Sequence, residues 1–324
     1  MSKIDIIKTP IKDEMKKFQP YFKEHIKSNA SLLNVIINYL LKRKGKQMRP
    51  MLVFLSAKMM GEVSESTYHA ASLIELMHTA TLVHDDVVDD SNMRRGFFSI
   101  NALWKNKVAV LLGDYLLAKG LLIAVHKNEF ELLKIVSKAV EQMSEGELIQ
   151  MEKARKLDID EETYFSIIKK KTAALMVACT ASGTYSTGVR DEKLKLMEQF
   201  GEYLGIAFQI RDDLFDYDRN GNFGKPSGND IKERKMTLPF IHSLNNCSKT
   251  EKSKIIRMMR KKNKSAQMVD EIMDFVRSYG GIEYAKNIML DYKNKALNIL
   301  SQLPQNDANN SLVELLEYTV SRNK

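Results

Sequence analysis

The pattern Asp-Asp-x-x-Asp occurs twice, at Asp85-Asp86-Val87-Val88-Asp89 and at Asp212-Asp213-Leu214-Phe215-Asp216, 127 residues apart. On a helix, residues i and i+4 lie about one turn apart on one face, so Asp85 and Asp89 point the same way while Asp86 is turned by about 100°. His78 returns to that face seven residues earlier, and Asp212 and Asp216 share a stripe with Gly205, Phe208 and Gln209. Like charges at this spacing destabilise a helix, and the neighbours Ile74, Leu76, Met77, Val87 and Val88 are apolar enough to be core. Such pairs need a compensating cation. Hard oxygen donors without a cysteine or histidine cluster favour Mg²⁺, which keeps several waters and binds one or two carboxylates plus substrate phosphates. One such pattern alone reads as solvated surface; two, each within an apolar helix, predict an anionic phosphate ligand bridged by metal. An EF-hand does not fit, because these carboxylates sit on helices rather than along a twelve-residue loop.

Cations flank both clusters. Lys46 and Arg49 fall in a helix-start loop, Arg94 and Arg95 follow the first cluster, and Lys225 and Lys235 follow the second. Arginine suits bidentate phosphate recognition, and lysine acts as a point charge. The loop 220–230 has three glycines, Gly221, Gly224 and Gly228, without the spacing of a nucleotide-binding P-loop.

These residues need elements to position them. Apolar residues recur at three- and four-residue intervals, as in Leu32, Val35, Ile36, Tyr39, Leu40, and no run alternates. Only 15 glycines and 6 prolines occur in 324 residues, about half the average usage, which argues against a turn-rich β fold. Breaks at 45–50, 61–66, 92–101, 156–160, 220–230, 245–251 and 304–310 divide the chain into about ten helices. No linker separates independent halves, so the expectation is an all-α fold with one domain over 1–324.

The remaining composition narrows the partners. The net charge of +9 admits anionic ligands, nucleic acid or membrane. Many lysines lie in the run 249–264, which lacks aromatic interleaving and reads as an exposed helix face, so no nucleic-acid partner is expected. The apolar stretch 108–125 is interrupted by Asp114 and Lys119 and reads as a buried helix rather than a membrane span. Two cysteines give no disulfide framework, and residues 1–18 lack a signal-peptide core, which together suggest a cytoplasmic protein.

In this order and context, the motifs resemble those of the trans-isoprenyl diphosphate synthases, also called polyprenyl synthetases. The matching segments are Gly45-Lys46-Gln47-Met48-Arg49-Pro50, Glu75 to Asp89, Arg94-Arg95-Gly96, Leu112-Gly113-Asp114-Tyr115, Lys171-Thr172-Ala173, Phe208 to Asp216, and Gly224-Lys225-Pro226-Ser227-Gly228-Asn229-Asp230 running to Pro239. The resemblance covers about 40–240, with a tail at 318–324. It implies an isoprenoid-synthase-type helical bundle around a central cavity, a homodimer, and two to three Mg²⁺ ions bridged by substrate diphosphate. Asp85, Asp89, Asp212 and Asp216 would hold the metal. Lys46, Arg49, His78 and Arg95 would bind isopentenyl diphosphate. Arg94, Lys171, Thr172, Phe208, Gln209, Lys225 and Lys235 would contact the allylic diphosphate; Thr172 and Gln209 could equally serve internal hydrogen bonds. Asp86, Asp90 and Asp213 are turned away from the metals.

The implied chemistry starts with ionisation of the allylic C–O bond, helped by metal and cationic side chains. The double bond of isopentenyl diphosphate captures the cation, and proton loss gives a product longer by one C5 unit. Arg322 and Lys324 resemble the family's closing flap. Ala80, Met77 and Leu73 form a stripe expected to line the product tunnel, and the small Ala80 and Thr81 predict a long, octaprenyl-type product of six to ten C5 units, as in a quinone side chain. A basic surface would help transfer that product to a membrane as a peripheral contact. Met77 or a bulky residue on a neighbouring helix could instead act as the floor, giving a shorter farnesyl- or geranylgeranyl-type product. A class I terpene cyclase fits less well, since it needs no second diphosphate site; a noncatalytic partner subunit would lack the aspartates.

Overall fold

A computed structural model describes residues 3–42, 46–94, 96–218 and 228–321. Gly45, Arg95, Gly221, Gly224, Lys225, Arg322 and Lys324 lie outside the described residues, as does the side chain of Arg94. Helices make up 81% of the chain, so the all-α expectation holds. They are α1 (Lys3–Ile7), α2 (Lys12–His25), α3 (Ser31–Lys42), α4 (Met48–Met60), α5 (Glu65–Val88), α6 (Ile100–His126), α7 (Phe130–Lys156), α8 (Glu161–Ile168), α9 (Ala174–Tyr185), α10 (Glu192–Phe215), α11 (Asn229–Lys232), α12 (Leu238–Asn246), α13 (Lys249–Arg260), α14 (Ala266–Ser278), α15 (Gly281–Ser301) and α16 (Asp307–Ser321). They outnumber the expected ten because several turns, such as those at Asn128 and Gly280, use left-handed residues without a proline-rich break. The only extended pairing among the described residues joins Met93–Arg94 to Phe97–Phe98.

The chain groups into two compact units, neither contiguous in sequence: Met1–Val140 with Ala178–Glu198 and Leu303–Leu312, and Glu141–Val177 with Gln199–Gln302 and Val313–Lys324. In the first unit α4 is buried almost all round, from Met51 to Ala57, as expected of a central helix. Close approach to it depends on Gly183, where a Cβ would stand 2.3 Å from the carbonyl oxygen of Val53. Helix α6 packs along α5, and Gly113 leaves the space that His84 fills: a Cβ there would lie 2.1 Å from His84 Nε2. This contact accounts for the glycine in Leu112-Gly113-Asp114-Tyr115.

The other side of α6 differs from the sequence reading. Among the described residues it alone is long and apolar enough to cross a membrane by length and composition, and only 39% of its most apolar stretch is buried. Leu111 (59%) and Leu122 (47%) are exposed, so α6 is a core helix on one face and carries an open apolar face on the other. In the second unit Tyr164, Ile167, Ile168, Ile206, Ile210, Leu214, Phe240 and Ile272 form one core. Cys179 and Cys247 are both free thiols.

Candidate active site

Both aspartate clusters fall at helix C-termini. Asp89 caps α5, with its N–H donating to the Asp85 carbonyl at 2.8 Å, and Asp212 and Asp213 lie in the last turn of α10. Neither last turn contains a basic residue. The C-terminal pole of a helix is the negative end of its dipole, where each carboxylate costs roughly 0.3–1 kcal/mol. Two helices thus place acids where the backbone disfavours them, a cost that a cation bound there would offset. Asp85 and Asp89 are exposed, whereas Asp86 is buried.

The first unit also holds Lys46, exposed before α4, Arg49 in its first turn, and His78, 8% exposed on α5. Burial pushes the Cys179 thiol up to about 12, with the charges of Arg49 and Glu75 acting on it in opposite senses. The stripe expected to line a tunnel is covered by α6 on one side. Ala80 is fully buried, and a Cβ on Gly120 of α6 would lie 3.2 Å from Leu73 Cδ1 and 3.5 Å from Met77 Sδ. The glycine lets α6 close over that stripe. Half-buried Thr81 donates its hydroxyl to the His78 carbonyl at 2.9 Å.

The second unit contains a cavity of about 560 Å³ lined by Gln150, Tyr164, Lys171, Thr172, Phe208, Gln209, Asp212, Asp213, Asp216, Asp230, Glu233 and Lys235 among others. Two glycines shape it. A single π-helical turn, Lys169–Ala173, is approached by Gly205 of α10, whose Cβ would sit 2.5 Å from Ala173 Cα, and by Gly146 of α7, whose Cβ would sit 2.9 Å from the Lys171 nitrogen. π turns are rare and concentrate at functional sites. Here the turn brings Lys171 to Gln150, at 2.9 Å, and to the Glu147 carboxylate, and brings Thr172 to Gln209.

A hydrogen-bond chain, buried at its Asp213–Tyr164 end, follows. Thr172 Oγ1 donates to Gln209 Oε1 (2.7 Å), Gln209 Nε2 donates to Asp213 Oδ1 (2.8 Å), and Tyr164 Oη donates to Asp213 Oδ2 (2.7 Å). Asp213 is buried, with one carboxylate oxygen held by Gln209 and the other by Tyr164. Burial and then Asp230 push its carboxyl up to about 7, against the opposing hydrogen bonds of Gln209 and Tyr164. Burial, followed by Asp213, raises the Tyr164 hydroxyl well above its ordinary range.

Asp216 has a structural duty: its two oxygens accept the backbone N–H groups of Asn229 (2.8 Å) and Asp230 (3.0 Å), which fixes the start of α11. Burial and Asp230 push it up to about 6. Lys235 pairs with Asp230 at 3.3 Å and Glu233 at 2.6 Å; these acids outweigh the lowering effect of burial and hold it above its ordinary value.

These donors fit Mg²⁺. All are hard carboxylate oxygens, and their mutual repulsion around Asp230 is relieved by a cation. Among the described residues no three acidic, histidine or cysteine side chains form a ready cage. The residues that sequence reasoning missed are Tyr164, Glu147, Gln150, Asp230 as a site acid, and Glu233. The pair Glu147 and Gln150 carried a usable signal, since both follow the helical Gly146 at short spacing.

The Polyprenyl synthetase family model matches residues 30–276. The octaprenyl diphosphate synthase of Escherichia coli is 33% identical over 93% of this chain and 93% of its own length. A decaprenyl diphosphate synthase structure from Rhodobacter capsulatus has a TM-score of 0.93 at 31% identity, covering 99% of both chains. A geranylgeranyl pyrophosphate synthase structure from Bacteroides thetaiotaomicron has a TM-score of 0.82 at 38% identity, also covering 99% of both. The chain belongs to the polyprenyl synthetase family, the all-α trans-prenyl diphosphate synthases.

Proposed function

We propose that the chain condenses isopentenyl diphosphate with geranyl or farnesyl diphosphate to give a long all-trans polyprenyl diphosphate, in the cytoplasm. The observation that carries the prenyl-transfer reading is the cavity in which Lys171, Lys235, Asp212 and the Thr172–Gln209–Asp213–Tyr164 chain converge. When bound by Asp212 and Asp216, and by Asp85 and Asp89, Mg²⁺ supplies Lewis-acid neutralisation of the diphosphate. Lys171 and Lys235 add cationic charge, and Lys171 can exchange Glu147 for a phosphate oxygen at little cost because it is half-exposed. Thr172 spends its proton on Gln209, whose amide is committed to Asp213, so hydroxyl lone pairs remain for the positive charge that develops on the allylic carbon. Lys46, Arg49 and His78 serve the second diphosphate on this reading, and Lys225, Arg94 and Arg95 complete the cation set.

Small Ala80 and Thr81 support a long product. A shorter, geranylgeranyl-type product is favoured by one observation, the packing of Leu73 and Met77 against Gly120. Product chromatography decides between them: the long reading requires products of six or more C5 units from the parent and truncation in Ala80→Phe, whereas products of four units or fewer contradict it. A second copy of the chain covers the open face of α6 on this reading, giving a homodimer.

A further inference from the structure

We infer that the basic segment 249–264 is a docking surface for an anionic lipid bilayer. It contains eight lysines and arginines against one acid, which is +7 of the chain's net +9 in sixteen residues. The sole acid does not neutralise its neighbours. Glu251 closes the capping box of α13 with Ser248 and accepts the Tyr279 hydroxyl at 2.7 Å. Ile255, Met258 and Met259 are buried, so α13 is held with Lys249, Lys252, Arg257 and Arg260 outward. Lys254 pairs with Glu271 of α14, while Lys249, Lys252, Arg257, Arg260, Lys261 and Lys262 have no ion partner among the described residues.

The far end of the segment touches α11, next to the cavity. Lys264 Nζ donates to the carbonyls of Lys261 (3.0 Å) and Lys232 (3.4 Å), and the charge of Arg234 also bears on it. Lys232 ends α11, and the adjacent Glu233 and Lys235 line the cavity. The cationic surface thus runs from α13 to the end of α11, beside residues that line the cavity. Its chemistry selects an extended anionic partner: α13 alone is about 18 Å long, longer than one diphosphate. The absence of Phe, Tyr or Trp in 249–264 removes the stacking platform that single-stranded nucleic acid requires. Clusters of four to eight Lys and Arg on a helix suit anionic headgroups. The choice of a bilayer rests on the proposed function, whose product is an apolar chain that must leave for lipid.

The test is sedimentation of the full-length protein, without substrates, with vesicles of phosphatidylcholine alone or with a quarter phosphatidylglycerol. The expected result is binding only to the anionic vesicles, lost at high salt, and about tenfold weaker or more when Lys249, Lys252, Arg257, Arg260, Lys261 and Lys262 are all changed to glutamine. Prenyl transfer by that variant on soluble substrates should equal the parent's, which separates this inference from the proposed function. Equal binding to both vesicles, no binding, or retained binding by the variant would overturn it. So would tighter binding of a structured RNA abolished by the same substitutions.

Discussion

The packing of Gly205 against the π turn makes a sharp prediction. In Gly205→Ala the new Cβ would start 2.5 Å from Ala173 Cα and 2.7 Å from its Cβ, where ordinary contact begins at 3.4 Å. A backbone atom cannot rotate aside, so α10 and the turn must separate by about 1 Å. The turn carries Lys171 and Thr172; α10 carries Gln209 and Asp212. Overpacking of this kind costs ~1–3 kcal/mol, but alanine recovers ~1 kcal/mol over glycine in a helix, so net stability falls by ~2 kcal/mol at most. A misplacement of about 1 Å at reacting groups costs on the order of a hundredfold in rate. The expected signature is therefore a large loss of kcat with a small loss of Tm. Steady-state prenyl transfer with Mg²⁺, isopentenyl diphosphate and farnesyl diphosphate, read beside thermal unfolding, measures both. Gly61→Ala, whose Cβ meets Thr187 only at 3.4 Å, is the near-neutral control. If Gly205→Ala kept the parent's rate and Tm, the clamp argument would be wrong.

Other consequences follow from the same geometry. Tyr164→Phe leaves one oxygen of buried Asp213 without its donor, so stability should fall by roughly 2 kcal/mol and kcat should drop while the KM for isopentenyl diphosphate stays unchanged; a shifted KM alone would point elsewhere. Asp213 and Asp216, pushed up to about 7 and about 6, carry folded pKa values above the unfolded value near ~4, so the stability they contribute is fully present below ~4 and is lost as pH rises through ~6–7. Metal-free protein should thus lose Tm between pH 5 and 8, and Mg²⁺ with inorganic diphosphate should raise Tm more at pH 8 than at pH 5; the reverse order would contradict the assignment. Light scattering should give a dimer mass for the parent and a monomer mass for the double variant Leu111→Glu, Leu122→Glu; a monomeric parent would remove the proposed partner from the α6 face.

The legible part of the site was the part written in local spacing. Asp85 with Asp89 and Asp212 with Asp216 declare themselves by a one-turn interval, and helical periodicity alone sets Asp213 about 100° round the helix from Asp212. The clamp was half visible: Gly205 lies on the Asp212 stripe, but its partner Ala173 is 32 residues distant, and nothing local predicts a π turn at Lys169–Ala173. Tyr164 reads as one more apolar core residue until Asp213 is found at its hydroxyl. The face of α6 was misjudged because Asp114 and Lys119 hide a stripe of exposed leucines, and burial on one face cannot be distinguished from burial on both by composition. The approach of α6 to Leu73 and Met77 at Gly120 was not legible either, since it comes from a neighbouring helix.

The central claim is metal-dependent chain elongation, and the direct measurement is product analysis after incubating the purified protein with Mg²⁺, isopentenyl diphosphate and geranyl or farnesyl diphosphate. The account predicts allylic diphosphates longer than the primer by whole C5 units, abolished by EDTA and reduced at least a hundredfold in Asp212→Asn. Absence of elongation with either primer, or elongation indifferent to metal removal, would contradict it.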